Sequence, residues 1–122
     1  MTAHNTLSVT GGGGPVPDPA FCERVYHLVA LVPPGRVVTY GQIAHHLGAP
    51  RSAQMVGRAL SRLPANRPVP WHRVINQSGR ISARWPAARM DYQAQLLRDE
   101  GIVWEADGRI DLGRYRWQFP NL

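Results

Sequence analysis

The 122 residues suit one domain and leave little room for a second, and a hydrophobic fraction of 43% excludes wholesale disorder. Fourteen arginines, no lysine and eight acidic side chains give a formal charge of +6, a field that attracts phosphate or an anionic surface. The single Cys22 excludes an internal disulfide, no Cys/His spacing suits zinc, and neither a bilayer-spanning run nor a secretory pattern is present, so a soluble, cytoplasmic protein without metal or cofactor is expected. Residues 1–17, with Gly11 to Gly14 followed by Pro15 and Pro17, read as a disordered tail, and residues 18–122 as the domain. Asp18-Pro19 opens a helix whose apolar positions Phe21, Val25, Leu28 and Val32 recur at helical spacing until Pro33. Arg36 to Val38 is extended. Thr39-Tyr40-Gly41-Gln42 then has the capping-box pattern, starting a helix with Ile43, Ala44 and Leu47 inward and a stop at Gly48. From about Ser52 a further helix buries Ala53, Val56, Leu60 and Leu63, leaving Gln54, Gly57, Arg58, Ser61 and Arg62 on or near the open face. A helix, a short turn and an arginine-bearing helix make a helix-turn-helix.

Pro64, Pro68 and Pro70 impose an ordered loop up to Trp71, His72 to Ile75 is extended, and Gln77-Ser78-Gly79-Arg80 is a turn. Trp85-Pro86 begins a helix carrying Met90, Ala94 and Leu97 inward as far as Gly101. Alternation at Ile102 to Glu105 and Arg109 to Leu112, around Ala106-Asp107-Gly108, predicts a β-hairpin wing. The fold class is mainly α with a small β element, winged-helix-like. Charge is unevenly spread: Arg36 to Met90 holds nine arginines and no Asp or Glu, which makes this stretch the expected binding surface and nucleic acid the expected partner.

Three blocks carry a family resemblance: Val32-Pro33-Pro34-Gly35-Arg36-Val37-Val38-Thr39-Tyr40-Gly41-Gln42-Ile43-Ala44, Val56-Gly57-Arg58-Ala59-Leu60, and Pro70-Trp71-His72-Arg73-Val74-Ile75. In this order and spacing they resemble the C-terminal domain of the O6-alkylguanine-DNA alkyltransferases, over roughly Phe21 to Trp117. That family has a Cys that accepts the alkyl group where this chain has Trp71, so the resemblance is to its alkyltransferase-like branch, which binds alkylated guanine without repairing it. An indole has no nucleophile comparable to a thiolate, and Cys22, beside a core stripe, reads as structural. His72 and Glu100 match the residues that activate the thiol and are expected here as a structural relic.

The resemblance implies a recognition helix in the minor groove, with Tyr40 pressed on the backbone to rotate the target nucleotide outward. A core aromatic is the other reading of Tyr40. Gly57 suits either close packing or close approach to a groove. Gln54 stands where the family has an arginine finger, leaving open whether Gln54, Arg51 or Arg58 fills the gap of the flipped base. Leu63 stands where many active members have Asn. The DNA-contacting set is thus Tyr40, Arg51, Gln54, Gly57, Arg58 and Ser61, and the lesion pocket Tyr40, Trp71, Val74, Arg84 and Trp85. Val74 matches a position whose carbonyl accepts from the guanine amino group, while Trp71 is either a pocket wall or plain core. Trp104 and Trp117 read as core of the hairpin region. The implied partners are duplex DNA holding O6-alkylguanine and nucleotide excision repair proteins, with no membrane and a monomeric chain. A regulator of undamaged operator sites and a residual enzyme using His72, Glu100 or Cys22 are the alternatives.

Overall fold

A computed structural model describes residues 16–121. The expected tail lies outside these residues except for Val16, which is exposed, and Pro17, which is buried. Helix α1, Pro19–Val29, starts where the Asp18 carboxylate accepts from the Ala20 amide at 2.9 Å, with proline at its first position where a missing N–H costs nothing. Val25, Leu28 and Val29 are buried along one side, and Val32 follows into the core from the turn beyond the helix.

Strand β1, Val38–Thr39, runs into α2, Tyr40–His46. The predicted capping box is formed: the Gln42 amide donates to Thr39 Oγ1 and the Thr39 amide to Gln42 Oε1, both at 3.0 Å. Gln42 Nε2 also donates to the Trp117 carbonyl at 2.8 Å, so one side chain fixes both the helix start and the C-terminal segment. After Gly48, α3 spans Ala53–Ser61 and buries Val56, Ala59 and Leu60. The Tyr26 hydroxyl donates to the Ala59 carbonyl at 2.6 Å, tying α3 to α1. These three helices enclose the larger core with Val38 and Val74.

A 3₁₀ turn, Trp71–Arg73, leads into β2, Val74–Ile75, which pairs in parallel with β1 in the register Val38 to Val74 and Thr39 to Ile75. The crossover between them is the helix-turn-helix itself, so pairing of two very short strands anchors it at both ends. Gly79, at a φ of 82°, is required by its turn: a Cβ there would stand 2.5 Å from the Ile110 carbonyl oxygen. Helix α4, Ala87–Asp99, buries Gln93 and Leu97, while Met90 and Ala94 are only half-buried. The polar Gln93 enters the core because its Nε2 donates to the carbonyls of His72 at 3.0 Å and Val74 at 2.9 Å.

The expected hairpin wing is reduced to a single antiparallel bridge, Trp104 to Ile110. Alternation stops at Asp111, whose carboxylate accepts from the Gly113 amide at 2.9 Å and caps α5, Leu112–Tyr115. The chain then returns beside Val37, which donates to the Tyr115 carbonyl and accepts from the Trp117 amide. Val37, Ile75, Leu97, Ile102, Ile110 and Tyr115 form a second, smaller core with Trp104 against it, whereas Trp117 packs on the larger one.

Candidate nucleic-acid interface

A cleft of about 640 Å³ opens between α3 and the loop after β2. One wall comes from α3, with Gln54, Gly57, Arg58 and Ser61; the other is Asn76, Gln77 and the segment Ser82 to Trp85; Tyr40 joins them. The open face of α3 therefore coincides with the cleft, as the period of its apolar residues requires. Among the described residues, two arginines, Arg58 and Arg84, line the cleft and no carboxylate does. The lining suits an anionic or hydrogen-bonding guest with an apolar part.

Tyr40 is held in place by its neighbours. Its ring lies against the bare backbone of Gly57, and burial pushes its phenol up to about 12, against opposing pulls from Ser82, Arg89 and Trp85. The hydroxyl is thus a neutral group throughout the physiological range.

The expected lesion pocket is split. Tyr40, Arg84 and Trp85 line the cleft, whereas Trp71 lines a second cavity of about 490 Å³ with Leu63, Val69, Arg89 and Tyr92. Val74 is fully buried, and its carbonyl already accepts from Gln93. Trp71 meets the Trp85 ring edge-on at 6.2 Å, so the two indoles are neighbours facing different spaces. Arg51 is exposed at the turn beside Pro50 and does not line the cleft. The sequence marks Gln77 only as part of a turn and does not single out Asn76: Asn76 Oδ1 accepts from the Ser78 and Arg80 amides at 3.0 Å, and both residues line the cleft.

His72 and Glu100 are brought together at 2.8 Å, but in a larger cluster. Glu100 also accepts from Arg73 Nη2 at 2.6 Å and from the Gly35 amide at 3.1 Å, and Arg73 Nη1 donates to the Val32 carbonyl at 2.8 Å. Burial alone would raise the Glu100 carboxyl; Arg73, His72 and the Gly35 amide outweigh it and hold it at about 2. The arrangement locks the end of α4 to the loop before β1 and to the 3₁₀ turn. Cys22 is buried on α1, 8% exposed, with the core around it.

Residues 20–102 match the family described as 6-O-methylguanine DNA methyltransferase, DNA binding domain. A DNA base-flipping protein of Escherichia coli strain K12 is 44% identical over 102 residues, which are 84% of this chain and 78% of that one. Alkyltransferase-like protein 1 of Schizosaccharomyces pombe is 39% identical, covering 83% of this chain and 91% of its own. A methylated-DNA–protein-cysteine methyltransferase of Salmonella typhimurium is 36% identical, and the match spans about half of that longer protein, 54%. Among solved structures, the S. pombe protein in complex with damaged DNA containing O6-carboxymethylguanine superposes with a TM-score of 0.76 at 37% identity, over 84% of this chain and 99% of that one. The chain belongs to the family of the 6-O-methylguanine DNA methyltransferase DNA-binding domain and is similar to its alkyltransferase-like, base-flipping members.

Proposed function

We propose that this protein is a non-catalytic sensor of O6-alkylguanine in duplex DNA. Arginines from the acid-free stretch hold the phosphates, α3 lies in the minor groove, and Tyr40 helps rotate the damaged nucleotide into the cleft. An alkylated guanine pairs poorly, so extruding it costs less than extruding a normal base. The observation that carries the reading is the cleft itself: the recognition face of α3, Tyr40 and Trp85 enclose one space of about 640 Å³ with two arginines and no acid.

Alkyl transfer is not part of the proposal. It demands an accessible thiolate, whereas Trp71 occupies the motif position and Cys22 is buried in the core. The His72 and Glu100 pair is accounted for by its structural cluster with Arg73. The bound monomer then marks the site for nucleotide excision repair proteins. The test is equilibrium binding to a duplex with one O6-methylguanine and to its unmodified twin at the same salt concentration. Tighter binding to the lesion is expected, and equal binding would leave only a general DNA-binding module.

A further inference from the structure

We propose that Arg89 is the specificity-determining partition of the cleft: seated in the corner formed by Trp71 and Trp85, it closes the space behind Trp85 and sets the largest alkyl group that fits. This rests on the lesion-binding reading and adds to it the residue that fixes the depth of the pocket.

The guanidinium carbon lies 4.2 Å from the ring centre of Trp71 and 3.9 Å from that of Trp85. Both distances are well inside the range of attraction between a cation and an aromatic face. Trp85 belongs to the cleft of about 640 Å³, while Trp71 and Arg89 belong to the cavity of about 490 Å³ on the other side. The two edge-on indoles, with the guanidinium in the corner between them, are therefore the wall that the two spaces share.

Nothing else in its surroundings accounts for a cation at this position. Arg89 sits in the first turn of α4, where the helix dipole disfavours positive charge. Among the described residues it makes no ion pair, unlike Arg67, Arg73 and Arg109. Its Nη2 donates over a long 3.4 Å to the Leu60 carbonyl in the last turn of α3, and its Nε is buried with no partner. Burial draws its pKa down from the usual arginine value, with Tyr40 opposing. The charge is thus held mainly by two indoles and the C-terminal end of the recognition helix. Truncating it removes the wedge, frees Trp85, and joins the two cavities.

The test compares wild type with Arg89→Ala on three duplexes: unmodified, O6-methylguanine and O6-benzylguanine. Truncation is expected to raise the benzyl-to-methyl affinity ratio about tenfold, as for a pocket relieved of a steric wall, with unmodified DNA serving as each protein's own reference. A folded Arg89→Ala protein with an unaltered ratio overturns the proposal. Should that variant not fold, Arg89→Val decides the same comparison, because it also leaves the guanidinium space empty. Fluorine NMR of protein carrying fluorotryptophan reads the partition without DNA. The Trp71 and Trp85 signals are expected to move in the variant while those of Trp104 and Trp117 stay. If wild type fails to distinguish either lesion from unmodified DNA, the sensor reading falls, and unmoved Trp71 and Trp85 signals would independently overturn the partition.

Discussion

The Tyr40 ring stands 3.8 Å from the point a Cβ on Gly57 would occupy. That distance is ordinary van der Waals contact, so a methyl group fits and anything larger displaces the ring. Gly57→Ala is expected to stabilise the fold by about 0.5–1 kcal/mol, because glycine in a helix interior carries extra backbone entropy. Gly57→Leu is expected to keep the melting temperature within a few degrees yet reduce lesion affinity about tenfold or more, through Tyr40 and the narrowed cleft. Thermal unfolding and fluorescence anisotropy separate the two effects.

Glu100 gives the fold an acid limit. Its carboxyl titrates near 2 in the folded state against an ordinary 4.5, so its contribution is present above pH 4.5 and is lost as pH falls from there towards 2. With the side chain 16% exposed, that contribution is on the order of 3 kcal/mol. Glu100→Gln should therefore lose roughly this much at neutral pH and flatten the acid limb of the stability curve, with lesion affinity of the folded protein unchanged. Urea unfolding across this pH range is the check, and a loss of DNA binding without a loss of stability would contradict the structural role.

Tyr40 predicts the alkaline side. Its folded value of about 12 lies above the ordinary 10.0, so the buried neutral phenol stabilises the fold below pH 10 and this is lost as pH rises towards 12. In a tyrosinate absorbance titration, Tyr40→Phe should remove a step near pH 12. Lesion binding should not titrate with Tyr40 between pH 7 and 10.

The helix-turn-helix was legible because its signals are local. Asp18 and the Thr39 and Gln42 capping box act within a few residues and are formed, and Val25, Leu28, Val56 and Leu60 are buried as expected, whereas Phe21 is half-buried, Ala53 lines the cleft and Leu63 lies half-buried beyond the end of α3. The parallel β1 and β2 pairing is two residues long, too short for any period to show, and its partners lie far apart in the chain. The wing was over-read because alternation at Arg109 to Leu112 cannot reveal that Asp111 caps a helix instead. In α4 a hydrophobic pattern passes over Gln93, which only its two carbonyl partners make tolerable in the core. Within the site, the α3 face and Tyr40 followed from spacing and motif. The separation of Trp71 from the cleft did not, since the corner that Trp71, Trp85 and Arg89 form depends on three side chains meeting in space.

Phosphate contact should be distinguishable from recognition of the lesion. Arg51 is exposed beside the cleft without lining it, so Arg51→Ala is expected to weaken binding to damaged and undamaged duplex alike. The slope of log affinity against log salt should fall by about 0.9 for each lost phosphate contact. A loss confined to the lesion-bearing duplex would instead place Arg51 at the flipped base.

Recognition without transfer is read by following the methyl group itself. A short duplex carrying a single O6-methylguanine with a labelled methyl group is mixed with the protein beside an unmodified control, and both binding and the location of the label are followed. Selective binding with the label retained on the DNA is the predicted result. Label appearing on the protein, or equal affinity for the two duplexes, would contradict it.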